Sequence, residues 1–112
     1  MAVIVSSSPF GSQTRTRVLV ALFLLEESYA RELARMLGSP LSVVQKAVRS
    51  LERDGLVAAR SGGRTRLYRL DPRYFAARPL RALLSRIAES DIDLGKRTED
   101  LRRRPRRTGK PL

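Results

Sequence analysis

The sequence predicts an α+β fold that is mainly helical, with three helices, a two-stranded hairpin and a final helix. Three observations support this prediction. The 112 residues are enough for one compact domain. Apolar residues recur at helical spacing in three segments before residue 55 and in one after residue 75. Between them, two short segments flank Gly62-Gly63 in the pattern of a β-hairpin.

The first predicted helix starts after Ser12 or Thr14, either of which can cap it, and runs to about Glu27. Its apolar side chains occupy nearly every side of the helix: Val18, Leu19, Val20, Leu22, Phe23, Leu24 and Leu25. A helix that is apolar all round must be covered on two sides. One cover is the domain core, and the other is either a second subunit or the last helix of the same chain.

Two more helices follow, joined by a short turn. Ser28 is the predicted cap of the second helix, and Gly38 ends it. Ser39 is the predicted cap of the third helix, with Pro40 at its first position, and this helix runs to about Asp54. The inner face of the third helix carries Val44, Ala47, Val48 and Leu51. The opposite face carries Ser42, Gln45, Lys46, Arg49 and Arg53.

The hairpin is predicted over residues 56–61 and 64–70, with a basic tip at Gly62-Gly63. Tyr68 and Leu70 share one side of the second strand and are predicted to join the core. A last amphipathic helix over residues 79–94 places four apolar side chains on one face: Leu80, Leu83, Leu84 and Ile87.

The composition excludes several classes of function. The chain has no Cys and no His, so thiolate or imidazole metal sites, disulfides and Cys or His catalysis are ruled out. No phosphate-binding loop or carboxylate cleft is evident, so the sequence predicts neither an enzyme nor a cofactor. The longest apolar run, Val18 to Leu25, has eight residues, whereas a membrane-spanning helix needs about 20. We expect a cytoplasmic, nucleoid-associated protein without a membrane partner.

The net charge of +12 suggests a polyanionic partner, because Lys and Arg displace counterions from phosphates. An acidic protein or a membrane surface would also attract this charge. Residues 96–112 carry 8 basic and 2 acidic side chains, which is half of the excess. The predicted organisation is an arm over residues 1–11, a domain over residues 12–95 and a basic tail over residues 96–112.

Two helices joined by a turn of three or four residues form a helix-turn-helix, whose second helix enters the major groove of DNA. The segment RELARMLGSPLSVVQKAVRSLERDGLV has core and turn residues at the required spacing: Leu33, Ala34, Leu37, Gly38, Val44, Val48, Leu51, Gly55 and Leu56. Residues 14–70 resemble the winged helix-turn-helix transcription regulators of the ArsR and MarR type. The resemblance implies double-stranded DNA as the partner, with the last helix serving as a dimerisation helix.

The resemblance also assigns contacts to the outer face of the third helix. Ser42 and Gln45 can hydrogen-bond base edges or phosphate. Lys46 or Arg49 can reach guanine O6 and N7, or the backbone. Val43 offers only an apolar contact, for instance to a thymine methyl group.

Three arginines surround the hairpin tip, where they can lie along the DNA backbone or in a minor groove. Charged hairpin tips also keep edge strands soluble, and that alternative stays open here. The predicted DNA-contacting set is Ser42, Val43, Gln45, Lys46, Arg49, Arg53, Arg60, Arg64 and Arg66.

The resemblance further implies a homodimer formed through the helices over residues 14–27 and 79–94, with DNA half-sites roughly 34 Å apart. Repression is the regulatory outcome it implies. Sensing of soft metals is not available to a chain without Cys or His, and the effector stays open. The alternative is a winged helix that serves as an interaction module or RNA binder within a larger complex.

Overall fold

The computed structural model describes residues 9–90, so the predicted basic tail, most of the predicted arm and residues 91–94 of the last predicted helix lie outside the described part. The elements in chain order are α1 (Gln13–Leu25), β1 (Ser28–Tyr29), α2 (Ala30–Leu37), α3 (Leu41–Arg53), β2 (Val57–Gly62), β3 (Thr65–Leu70) and α4 (Ala77–Ser90). This order confirms the predicted mainly helical α+β fold and adds one short strand, β1.

The central element is α1, which is contacted by α2, α3, α4 and β3. It begins at the predicted cap, where Ser12 Oγ accepts a hydrogen bond from the Arg15 backbone N–H at 3.1 Å. It ends two residues before the predicted end, because the backbone leaves the helical region at Glu26 with φ 74°.

Residues 18–22 of α1 are at most 1% exposed, because α3 and α4 both pack against this helix. The second cover of the apolar helix is therefore the last helix of the same chain. The all-round apolar pattern of α1 therefore needs no second subunit to explain it, and a dimer contact through this helix stays a prediction.

The helix-turn-helix is present, but its predicted caps are wrong. Ser28 is not a cap: it pairs with Tyr68 in the sheet, and its Oγ donates to Glu32 Oε1 at 2.6 Å. Tyr29 takes the cap position without a side-chain hydrogen bond. Pro40 is itself the cap of α3, since its ψ of 145° is extended and the helix begins one residue later.

The three strands form an antiparallel sheet in the order β1-β3-β2. Gly62 pairs with Thr65, so the hairpin turn consists of Gly63 and Arg64, one residue later than predicted. Gly63 has φ 74°, and a positive φ at the first turn residue is the conformation that favours glycine there. The correction places Arg64 at the outermost point of the hairpin.

Most of the predicted core is confirmed. Tyr68 and Leu70 of β3 are buried, as are three of the four apolar residues predicted for the last helix: Leu80, Leu84 and Ile87. Leu83 differs because it is 43% exposed, which leaves it on the outer side of α4.

Asp71 closes the turn between β3 and α4. Its Oδ1 accepts hydrogen bonds from the Arg73 backbone N–H at 2.9 Å and from Arg73 Nε at 3.3 Å. Its own backbone N–H donates to the Leu56 carbonyl at 2.9 Å. The hydrogen bond from the Arg73 backbone, followed by that from its side chain, lowers the pKa of Asp71.

This lowered pKa makes the contribution of Asp71 to stability depend on pH. A carboxyl group of this kind stabilises the fold above its unfolded pKa, near 4, and the contribution is lost as pH falls through the folded value. We expect wild type to exceed Asp71→Asn in free energy of unfolding by about 1 kcal/mol or less at pH 7, because the group is near the surface. Urea unfolding at pH 7 and pH 3 measures the difference, which should shrink at the lower pH. A difference equal at both pH values would contradict the assignment.

Candidate nucleic-acid interface

The inner face of α3 holds the helix against the domain. Val44, Val48 and Leu51 are fully buried, and α3 packs against α1, α2 and β2. Ridges of apolar side chains fix the angle between packed helices, so burial of this face sets the direction of the outer one.

A second anchor joins the end of α3 to the start of α1. Arg15 donates to Ser50 Oγ on α3, to Asp54 Oδ2 at 3.0 Å and to the Phe10 carbonyl at 2.6 Å. Its side chain is 19% exposed, so these polar contacts form in a partly desolvated position. The C-terminal turn of α3 is therefore fixed independently of its apolar face.

The outer face of α3 is available to a partner. Ser42, Lys46, Arg49 and Arg53 are exposed, Val43 is 42% exposed, and Gln45 is half-buried. All six residues predicted for DNA contact on this helix therefore lie outside the core. The face is basic along most of its length and has one apolar side chain near its first turn.

The hairpin and α3 enclose a polar groove of about 330 Å³. Its lining combines two α2 residues, three α3 residues and four hairpin residues: Ala30, Arg31, Leu41, Gln45, Arg49, Arg64, Thr65, Arg66 and Tyr68. Four of these residues are arginines and none is acidic. The structure thus brings Gln45, Arg49, Arg64 and Arg66 together, whereas Ser42, Val43, Lys46 and Arg53 lie on the open helix surface.

The three arginines predicted to contact DNA from the hairpin do not form one cluster. Arg66 lies across from Ser61 and on the same side of the sheet as Tyr68, whereas Arg60 pairs with Leu67 on the opposite side. The guanidinium carbon of Arg66 is 5.9 Å from the centre of the Tyr68 ring. Of these three arginines, only Arg64 and Arg66 line the groove.

Carboxylates hold two of these arginines. Arg60 binds Glu27 through two contacts, Nε to Oε2 at 2.8 Å and Nη2 to Oε1 at 3.0 Å. Arg66 Nη2 lies 2.7 Å from Glu52 Oε2. The Glu27 hydrogen bond raises the pKa of Arg60, and a hydrogen bond with Tyr68, followed by that with Glu52, raises the pKa of Arg66.

Five of the nine lining residues are absent from the predicted DNA-contacting set, and the hydrophilic ones among them are Arg31 and Thr65. Arg31 lies in the first turn of α2, and Thr65 opens β3 beside the tip. The first helix of a helix-turn-helix crosses the DNA backbone, so an exposed Arg at its start was a usable signal for Arg31. Thr65 had no such signal, because its position depends on the register of the hairpin.

Other kinds of site are not evident in residues 9–90. This part of the chain has no cluster of three acidic residues that could hold a metal ion. Its helices are also too short or too polar to cross a membrane.

Comparison with known proteins connects this geometry to a family. The family model described as the sugar-specific transcriptional regulator TrmB matches residues 12–79, more than half of the chain. A search of curated proteins finds no match. Among solved structures, the adhesin competence repressor AdcR of Streptococcus pyogenes is similar, with a TM-score of 0.61 and 16% identity. The alignment covers 86% of this chain and 72% of that chain, and at this identity it shows the fold alone.

The fold comparison confirms the winged helix prediction, while the narrower ArsR and MarR assignment stays a prediction. The matching family is one of transcriptional regulators and not of enzymes. The chain belongs to the TrmB family and is a DNA-binding transcriptional regulator.

Proposed function

We propose that this regulator represses transcription as a homodimer that recognises a specific duplex sequence, with one α3 in each of two major grooves. The observation that carries the proposal is the groove between α3 and the hairpin, which collects four guanidinium groups beside Gln45. Such a function would place the protein in the cytoplasm, at the nucleoid.

Within this proposal, the exposed residues of α3 divide by position. The first turn of a recognition helix contacts base edges, which assigns Ser42 and Val43 to the bases together with Gln45. Farther along, Lys46, Arg49 and Arg53 are assigned to phosphates. Arg49 lines the groove of the protein and is also assigned to a guanine contact.

The hairpin supplies the second set of contacts. Arg64, at the tip, has no ion pair among residues 9–90 and is assigned to the minor groove or the adjoining backbone. Arg66 is assigned to a phosphate beside α3. Arg60 lies on the other side of the sheet, so its predicted DNA contact would form outside this groove.

Selection of bound fragments from random duplex DNA tests the proposed specificity. We expect a palindromic consensus with half-sites roughly 34 Å apart, because a two-fold dimer reads the same sequence twice. With about 6 to 10 phosphate contacts, the affinity for this site should fall roughly a thousandfold or more between 50 and 200 mM salt. Fluorescence anisotropy measures the decrease, and RNA of matched length is the competitor. Equal affinity for RNA, or a flat salt dependence, would contradict the proposal.

The proposed dimer uses the outer side of α4 and the turn before it. Leu83 is 43% exposed and Phe75 is 92% exposed, and large exposed apolar side chains often mark interaction surfaces. Residues 18–22 of α1 are covered within their own chain, whereas Leu83 of α4 is exposed, so the dimer proposal rests mainly on α4.

Sedimentation of the full chain tests this surface. We expect wild type to sediment as a dimer and the Phe75→Ser, Leu83→Lys double variant to shift toward monomer. In a two-fold interface both subunits contribute the same residue, so the variant would bring two lysines into one apolar contact. Arg86→Ala, an exposed change on the same helix, serves as the control. A double variant that stays dimeric would place the interface elsewhere.

A further inference from the structure

Glu52 occupies an unusual position for an acidic residue, at the edge of a basic groove. It lies on α3 seven residues after Gln45. Its Oε2 accepts a hydrogen bond from Arg66 Nη2 at 2.7 Å, which joins the helix to the hairpin. Both side chains keep contact with solvent, with 34% of Glu52 and 58% of Arg66 exposed. The contact therefore holds a groove arginine in a position that DNA can reach.

A carboxylate and a phosphate present the same kind of acceptor to a guanidinium group. Exposed ion pairs are weak, because water and salt screen them and two long side chains must be ordered. Duplex DNA offers a dense row of phosphates, and their neutralisation also releases counterions. A DNA phosphate next to Arg66 is therefore expected to bind its guanidinium group more strongly than Glu52 does.

We propose that Glu52 is a displaceable stand-in for a DNA phosphate, and that duplex binding exchanges Arg66 from this carboxylate to the backbone. The inference rests on the proposed function, since it needs DNA in the groove. Before binding, Glu52 keeps the Arg66 guanidinium facing the groove. On binding, breaking the Arg66–Glu52 ion pair costs free energy, so Glu52 lowers the affinity for every duplex.

The exchange acts through a phosphate, which carries no sequence information. Removing the carboxylate should therefore tighten binding by the same factor on every duplex. The ratio between specific and random DNA should not change. This separates Glu52 from the α3 residues assigned to bases.

The structure offers a matched control in Glu27. This carboxylate binds Arg60 through two contacts, but on the side of the sheet that faces away from the groove. Glu52→Gln and Glu27→Gln remove the same charge, each from an arginine of the same hairpin. A general effect of lower negative charge would appear equally in both variants.

The test measures the affinity of the full chain for a selected duplex and a random duplex, by fluorescence anisotropy over a range of salt concentrations. We expect Glu52→Gln to bind both duplexes about threefold to fivefold more tightly at 50 mM salt, and Glu27→Gln to change affinity by less than about twofold. The salt slope of Glu52→Gln should equal that of wild type, because Arg66 neutralises a phosphate in both complexes. Circular dichroism melting confirms that both variants fold.

A second pair of variants shows whether Glu52 acts through Arg66. In an Arg66→Ala background, the gain from Glu52→Gln should fall to the level of Glu27→Gln, since no arginine remains to be exchanged. An undiminished gain would overturn the proposal. A salt slope steeper by about one in Glu52→Gln would also overturn it, because Arg66 would then stay on Glu52 in the wild-type complex.

Failure of the proposed function has a different signature. A wild-type protein that binds no duplex at any salt concentration would reject DNA in the groove altogether. Tight wild-type binding with equal gains in Glu52→Gln and Glu27→Gln would reject only the exchange.

Discussion

The Gln45→Ala, Lys46→Ala, Arg49→Ala triple variant is expected to lose at least roughly 100-fold in affinity for its selected duplex. The three side chains are assigned to base edges and phosphates, and each such contact contributes separately. None of them belongs to the buried face of α3, so circular dichroism and thermal melting should show an intact fold. Fluorescence anisotropy at fixed salt measures the loss.

Charge removal alone must be separated from loss of contact. Arg78→Ala, Arg81→Ala provides the comparison, since it removes two positive charges from exposed positions on α4, outside the groove. We expect this variant to lose less than about threefold, through the weaker long-range attraction only. Similar losses in the two variants would mean that net charge, and not the α3 surface, determines binding.

The largest expected effect on stability comes from Leu84→Ala. Leu84 is fully buried on α4, the helix that covers one side of α1. Truncating such a side chain removes apolar contacts and leaves a cavity, which costs about 2–5 kcal/mol in free energy of unfolding. Small domains have only about 5–15 kcal/mol in total, so urea unfolding should show a large shift in midpoint.

Leu83→Ala is the matched comparison, since it makes the same chemical change one residue earlier. Leu83 is 43% exposed, and we expect a loss below about 1 kcal/mol from this substitution. Unfolding is best compared at several protein concentrations, because a dimer would add stability that depends on concentration. Equal losses for the two variants would contradict the inner and outer sides assigned to α4.

The helices and most of the core were predictable because their signals are local. Val44, Val48 and Leu51 repeat at helical spacing within one segment, and the structure buries all three. The hairpin strands were also predictable, since Tyr68 and Leu70 alternate with polar neighbours. A short-range pattern is enough wherever burial follows from the geometry of a single element.

Errors occurred where a distant partner decides the structure. Ser28 is a good helix cap by residue type, but pairing with Tyr68 on β3 draws it into a strand too short to give its own signal. In the same way, Arg60 and Arg66 appear equivalent in the sequence. The register of the hairpin places them on opposite sides of the sheet, and carboxylates from two other segments, Glu27 and Glu52, bind them.

The candidate site was predictable as a face of α3 but not as a groove. Spacing alone indicated that Gln45 and Arg49 point outward on the third helix. That Arg64 and Arg66 close over them, with Arg31 joining from α2, follows from how the hairpin packs against the helices. Only tertiary structure contains that information.

The Arg15 anchor has a practical consequence for measuring DNA binding. Because Arg15 holds the Phe10 carbonyl together with Ser50 and Asp54, the backbone at Phe10 lies beside the last turn of α3. The chain contains no cysteine, so a single thiol introduced there would take a fluorophore without removing any other. A dye at that position would sit next to α3 without replacing any side chain assigned to the bases.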